Sequence, residues 1–80
     1  MMEKEKEELL KKWEEEDEEY RKIRIENADW NFIEKQEPRI KNALKYYVKT
    51  GNLRLSARLA GVSLEKMNEL RIKANIPWIT

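Results

Sequence analysis

Seven side chains between residues 54 and 73 have the chemistry to meet a polyanion: Arg54, Arg58, Ser63, Lys66, Asn68, Arg71 and Lys73. A guanidinium fork matches phosphate oxygens and the guanine edge, a carboxamide matches the adenine edge, and a hydroxyl serves either. Glu65 and Glu69 are interleaved with these groups. Carboxylates there repel phosphate, although a well-aimed one accepts a hydrogen bond from the cytosine amino group. Direct base reading is therefore the weaker expectation. Arg54 and Arg58 are the stronger one, as backbone contacts that position a protein on a duplex without supplying sequence information.

The same inventory closes off other chemistry. The 80 residues contain no histidine and no cysteine, which removes zinc ligand sets, disulfides, thiol nucleophiles and the commonest general base. Carboxylates are left as magnesium ligands or acid–base pairs. They are concentrated in a dense N-terminal run that reads as a solvated helix face. No enzymatic role, metal or cofactor is expected.

To act together, the seven groups need a scaffold that fixes two short helices against each other. The stretch SARLAGVSLEKMNEL, Ser56 to Leu70, places Gly61 between two runs of helix formers. Where the helices of a helix-turn-helix cross, the first carries a small residue four positions before the turn glycine, and Ala57 is that residue. Val62, Met67 and Leu70 complete the inward apolar pattern, and Ser56, where an apolar residue is usual, departs from it. Asn52 is placed to cap a helix running to about Ala60, and Ser63 a second from Leu64 to about Ala74, which sets the helix-turn-helix at 53–74. A ligand-free helical hairpin needs some of the same residues, so the pattern alone leaves both open.

Upstream, Pro38 suits the first turn of a helix. Ile40, Ala43, Leu44, Tyr47 and Val48 then follow at i, i+3, i+4, i+7 and i+8 until Gly51 ends it. Its other face presents Arg39, Lys41, Lys45 and Lys49, either a solvated stripe or a track for a phosphate backbone. Asn27 and Asp29 are competent caps for a short helix or turn anchored by Trp30, Phe32 and Ile33. The tail NIPWIT should end the last helix and dock Ile76, Trp78 and Ile79 on the core.

Residues 1–24 form a different region. From Glu3 to about Arg24 the chain holds strong helix formers with no Gly or Pro, and predicts a long charged helix. Residues 1–20 contain ten acidic and four basic side chains and residues 21–80 six and thirteen, so the net charge of +1 divides into −6 and +7. An acidic arm on a basic body of this size points toward nucleic acid. Along the arm, Met2, Leu9 and Ile23 share one heptad register and Trp13 and Tyr20 the complementary one, with Lys6 and Glu16 interrupting the seam. Leu9, Trp13, Tyr20 and Ile23 are thus candidates for a dimer or partner interface, and packing on the same subunit is the alternative. YRKIRI, Tyr20 to Ile25, also alternates in a way that leaves a short strand open.

With 41% charged residues, a chain this short builds a thin core, and a homodimer would add burial. No apolar run approaches a bilayer span or a signal-peptide core, so a soluble cytoplasmic protein without membrane partners is expected. Abundant Glu and Lys and the single Gln36 fit the composition of thermophile proteins.

The stretch ALKYYVKTGNLRLSARLAGVSLEKMNELRIKANIP, Ala43 to Pro77, resembles the C-terminal half of a family of small archaeal and bacterial helix-turn-helix proteins regarded as antitoxins. Tyr47, Gly51, Ala57, Leu59, Ala60, Gly61, Ser63, Leu70, Ile76 and Pro77 carry the likeness. The segment from Gly51 to Ala60 is shorter than in that family, and the charged N-terminal helix has no clear counterpart there. The resemblance implies a partner toxin of the PIN-domain ribonuclease type and repression of the protein's own operon. The expectation is an all-α protein with a charged N-terminal helix, 1–24, and a helical domain, 25–80, that binds double-stranded DNA as a transcriptional regulator. The competing expectation is a protein–protein interaction module whose helical hairpin meets no nucleic acid.

Overall fold

The computed structural model describes residues 18–78, and all regular structure among them is helical. Helix α1 covers 18–27, α2 Trp30–Glu34, α3 Pro38–Thr50, α4 Leu53–Ala60 and α5 Leu64–Lys73. The protein is all-α, as its periodicity predicts. Most of the expected N-terminal helix, including Leu9 and Trp13, lies outside the described residues, as does Ile79.

Helix α3 organises the rest. Pro38 occupies its first turn with φ already fixed for a helix. Ala43, Leu44, Tyr47 and Val48 bury the predicted stripe, with Ile40 half-buried at its edge. Gly51 stops the helix in the left-handed region at φ 71°, and its N–H donates to the Tyr47 carbonyl at 2.7 Å. Helices α2 and α4 pack against α3, and α5 packs on α4. Ile33, Leu44, Tyr47, Met67 and Ile76 are the large side chains fully withdrawn from water. Each contributes about 1.5–3 kcal/mol of burial, before the entropy of ordering it is set against that gain.

The Tyr20–Ile25 segment is helix rather than strand. Helical spacing puts Arg21 and Arg24 on one face, where Arg21 Nε donates to Lys49 O and Arg24 Nε to Val48 O, both at 2.9 Å. Those carbonyls belong to the last turn of α3, where unsatisfied acceptors and the negative end of the helix dipole attract cations. Arg24 is only 5% exposed. At the other end of α1, Asn75 takes φ 56° and its side-chain amide donates to Asn27 O at 2.9 Å, while Asp29 N–H donates to Ala74 O at 2.7 Å.

Asp29 also caps α2 by accepting from Phe32 N–H, and the helix buries Ile33 while Trp30 turns outward and donates its indole N–H to Ile25 O. In the tail, Ile76 is buried as expected. Trp78 departs from the expectation that it docks on the core: it is 55% exposed, with its ring 5.5 Å from the Arg71 guanidinium. The indole thus meets a guanidinium at the surface, and a cation–π contact stands where core burial was expected.

Candidate nucleic-acid interface

The α4–α5 turn is built from local rules. Asn52 Oδ1 accepts from Leu55 N–H at the start of α4. Ser56, the one residue that departs from the apolar pattern, is completely buried and donates its hydroxyl to Asn52 O at 2.7 Å. Its polar group is therefore satisfied within its own helix, which is why a hydroxyl is tolerated at an inward position. Gly61 ends α4 at φ 68°, and Val62 N–H closes back onto Ala57 O at 3.1 Å. Ser63 then starts α5 by accepting from Lys66 N–H at 3.1 Å. Ala57, Ala60, Met67 and Leu70 are buried around the turn, with Val62 packed against them.

The seven candidate contacts fall into three groups. Arg54 and Arg58 stand exposed one turn apart on the outer face of α4, and Lys73 is exposed in the last turn of α5. Lys66 is exposed and lies 3.8 Å from the Glu69 carboxylate. Ser63 spends its acceptor oxygen on the α5 cap, leaving its hydroxyl proton to donate. Asn68 and Arg71 are engaged with each other: Arg71 Nε and Nη2 both donate to Asn68 Oδ1, at 3.0 and 2.8 Å, and Arg71 Nη1 donates to Ile76 O at 3.0 Å. For the paired adenine contact Asn68 must first give up these bonds, since its Oδ1 is already occupied by Arg71. Of the interface candidates on α1, Tyr20 is half-buried and Ile23 exposed.

The basic stripe of α3 is likewise divided. Lys45 and Lys41 reach Glu34 at 3.0 and 3.6 Å. The hydrogen bond and charge of Lys45 hold the Glu34 carboxyl below its ordinary value, with Lys41 adding to the effect. Arg39 turns instead to the α4–α5 junction, where a side-chain carbon at Gly61 would come within 3.3 Å of its Nη1. Lys49 is exposed. Below the surface, burial raises the Tyr47 phenol, and the opposing charges of Arg71 and Arg24 only partly offset that rise.

Sequence reasoning missed the placement of Arg39 over the turn and the pairing of Arg71 with Asn68. The second had a readable signal, since residues three apart on a helix are neighbours. Beside Arg54 an open cleft of ≈ 470 Å³ is lined by Thr50, Asn52, Leu53, Leu64 and Trp78 among others. Among the described residues no helix is long and apolar enough to cross a membrane. No family model, curated protein or solved structure matches the chain.

Proposed function

We propose that the protein is a small DNA-binding transcriptional regulator that uses α4 and α5 as a helix-turn-helix and touches duplex DNA mainly through its phosphates. The observation that carries this reading is the Ala57–Gly61–Ser63 junction: a buried small residue, a left-handed glycine and a capped second helix leave Arg54 and Arg58 exposed on one side. The mutual engagement of Asn68 and Arg71, with Glu65 and Glu69 on the same helix, favours backbone contact over base reading. The resemblance of Ala43 to Pro77 to antitoxins extends the reading to repression of its own operon beside a toxin partner.

Fluorescence anisotropy with a mixed-sequence duplex across salt concentrations tests the reading. Each phosphate contact contributes about one unit of slope to log K against log salt, so Arg54→Ala and Arg58→Ala should each flatten it by about one while weakening all sequences alike. Slopes unchanged in both variants remove this face from the contact. A second reading, a protein-interaction module without nucleic acid, is favoured by the exposed Leu55, Leu59, Leu64 and Trp78. Absence of any duplex binding at low salt would select it.

A further inference from the structure

Four segments converge on the open cleft of ≈ 470 Å³ beside Arg54: the turn after α3 with Thr50 and Asn52, the start of α4, the start of α5 with Leu64, and the tail with Trp78. Leu64 and Trp78, 45% and 55% exposed, offer apolar surface there. Among the described residues that line the cleft, Arg54 is the one charged side chain and none carries a carboxylate. Asn52 gives its Oδ1 to the α4 cap, whereas its Nδ2 makes no hydrogen bond among the described residues and keeps two donors. Trp78 is held in this place rather than trailing from it. Ile76, two residues earlier, is buried, and Arg71 Nη1 donates to Ile76 O at 3.0 Å. The Arg71 guanidinium lies over one face of the indole, 5.5 Å from its centre, and leaves the other to a ligand.

We infer that this cleft binds an unpaired nucleotide, with its base stacked on Trp78 and its phosphate held by Arg54. Each part of such a ligand has a counterpart. A flat base stacks on an indole, a guanidinium fork matches phosphate oxygens, and a carboxamide N–H meets an acceptor on the base edge or sugar. A neutral apolar ligand would leave Arg54 without an anion, and a bare inorganic anion would leave Trp78 and Leu64 without a surface to cover. The lining, cationic and free of carboxylates, is complementary to the ligand's charge. A base inside a duplex has both faces covered by its neighbours, so only an unpaired one presents a face to Trp78. The cleft also falls within the roughly 300–1,000 Å³ typical of small-molecule sites. Two sources carry this chemistry, a free nucleoside monophosphate and the unpaired end of a nucleic-acid strand. The site is separate from the proposed duplex contact except at Arg54, so where both hold, nucleotide and duplex compete for that residue.

Indole fluorescence of the full chain without duplex tests this. The chain has three tryptophans, and Trp13→Phe with Trp30→Phe leaves Trp78 as the one indole, excited at the red edge where nucleobases do not absorb. Adenosine monophosphate should quench it saturably, with a dissociation constant below about 1 mM. Arg54→Ala should remove the preference for the monophosphate over adenosine, which lacks the phosphate. In an NMR titration of the otherwise wild-type chain, Trp78→Ala should weaken binding about tenfold, the scale of one base–aromatic stack. Both substitutions fall at exposed positions, and circular dichroism should show the helices unchanged. Short single-stranded oligodeoxyadenylate separates the sources: tighter binding than the monophosphate assigns the cleft to a strand end, and equal or weaker binding to a free nucleotide. No saturable quenching by either probe at about 1 mM overturns the site, and so does binding unaltered by Trp78→Ala. A chain that binds adenylate in this way but no duplex keeps the cleft and loses only the DNA reading, because the two are measured apart.

Discussion

The two glycines of the described chain end successive helices in the same way, yet their surroundings differ. Gly51 and Gly61 both sit in the left-handed region, at φ 71° and 68°, and each has an arginine lying against it. At Gly51 that arginine is Arg24, nearly buried and bonded to Val48 O. At Gly61 it is Arg39, exposed and free to swing aside. The same backbone device is therefore fastened into the core at one turn and left adjustable at the other. The fastened turn lies between α3 and α4, where α1 is pinned by Arg24; the adjustable one joins the two helices proposed to meet DNA.

The largest effect should follow from breaking the fastened side. Arg24→Ala removes a charge-assisted hydrogen bond and the packing of a long side chain, an expected loss of about 2–3 kcal/mol in urea unfolding. Gly51→Ala should cost about 2 kcal/mol, from the left-handed φ and from a Cβ placed 3.0 Å from Arg24 Nη1. Gly61→Ala meets the same φ penalty of about 1 kcal/mol with little more, since the nearest atom is the far end of Arg39. A pair of double-mutant cycles sharpens the contrast. Gly51→Ala and Arg24→Ala should deviate from additivity by about 1 kcal/mol, whereas Gly61→Ala and Arg39→Ala should add within about 0.5 kcal/mol. Equal coupling at both turns would erase the distinction.

Smaller effects are expected deeper in the hairpin. Ser56→Ala removes a donor whose acceptor, Asn52 O, also receives Ser56 N–H, so no carbonyl is orphaned and the loss should be about 0.5–1 kcal/mol. At neutral pH Tyr47→Phe should change least. The folded phenol ionises above its ordinary value of 10.0 because it is buried. The neutral form is therefore favoured by folding, a contribution fully present below the unfolded value and lost as pH rises through the folded one. Thermal melts of wild type should fall in strongly alkaline buffer, and Tyr47→Phe should blunt that fall. An identical alkaline profile in the variant would assign the loss to other groups.

Helices α3, α4 and α5 were legible because their signals are local. Pro38, Gly51, Asn52, Gly61 and Ser63 mark boundaries through their own backbone chemistry, and Ala43, Leu44, Tyr47 and Val48 repeat at the helical period. The clamp of Arg21 and Arg24 on the end of α3 was not legible, since no nearby pattern announces a bond to a carbonyl 28 or 24 residues away. Trp78 misled for a related reason. An aromatic residue after a helix suggests burial, but Arg71 offered it a surface partner. In the candidate interface the hairpin could be read from spacing. Which cations stay unpaired depended on partners in another helix, such as Glu34 of α2 for Lys41 and Lys45 of α3.

The strap that joins Asn27 to Asn75 and Asp29 to Ala74 gives the chain an order of assembly. During synthesis the arginines of α1 can find the end of α3 once residue 49 has emerged, but the other end of α1 has nothing to hold until residues 74 and 75 follow. Closing a loop of that size costs a few kcal/mol of chain entropy, which is recovered only after α3, α4 and α5 have condensed. Helix α1 is thus made before α3, α4 and α5 and fully locked only after them. A chain cut short after α5 would lose the strap at one end of α1 and keep only the arginine clamp at the other.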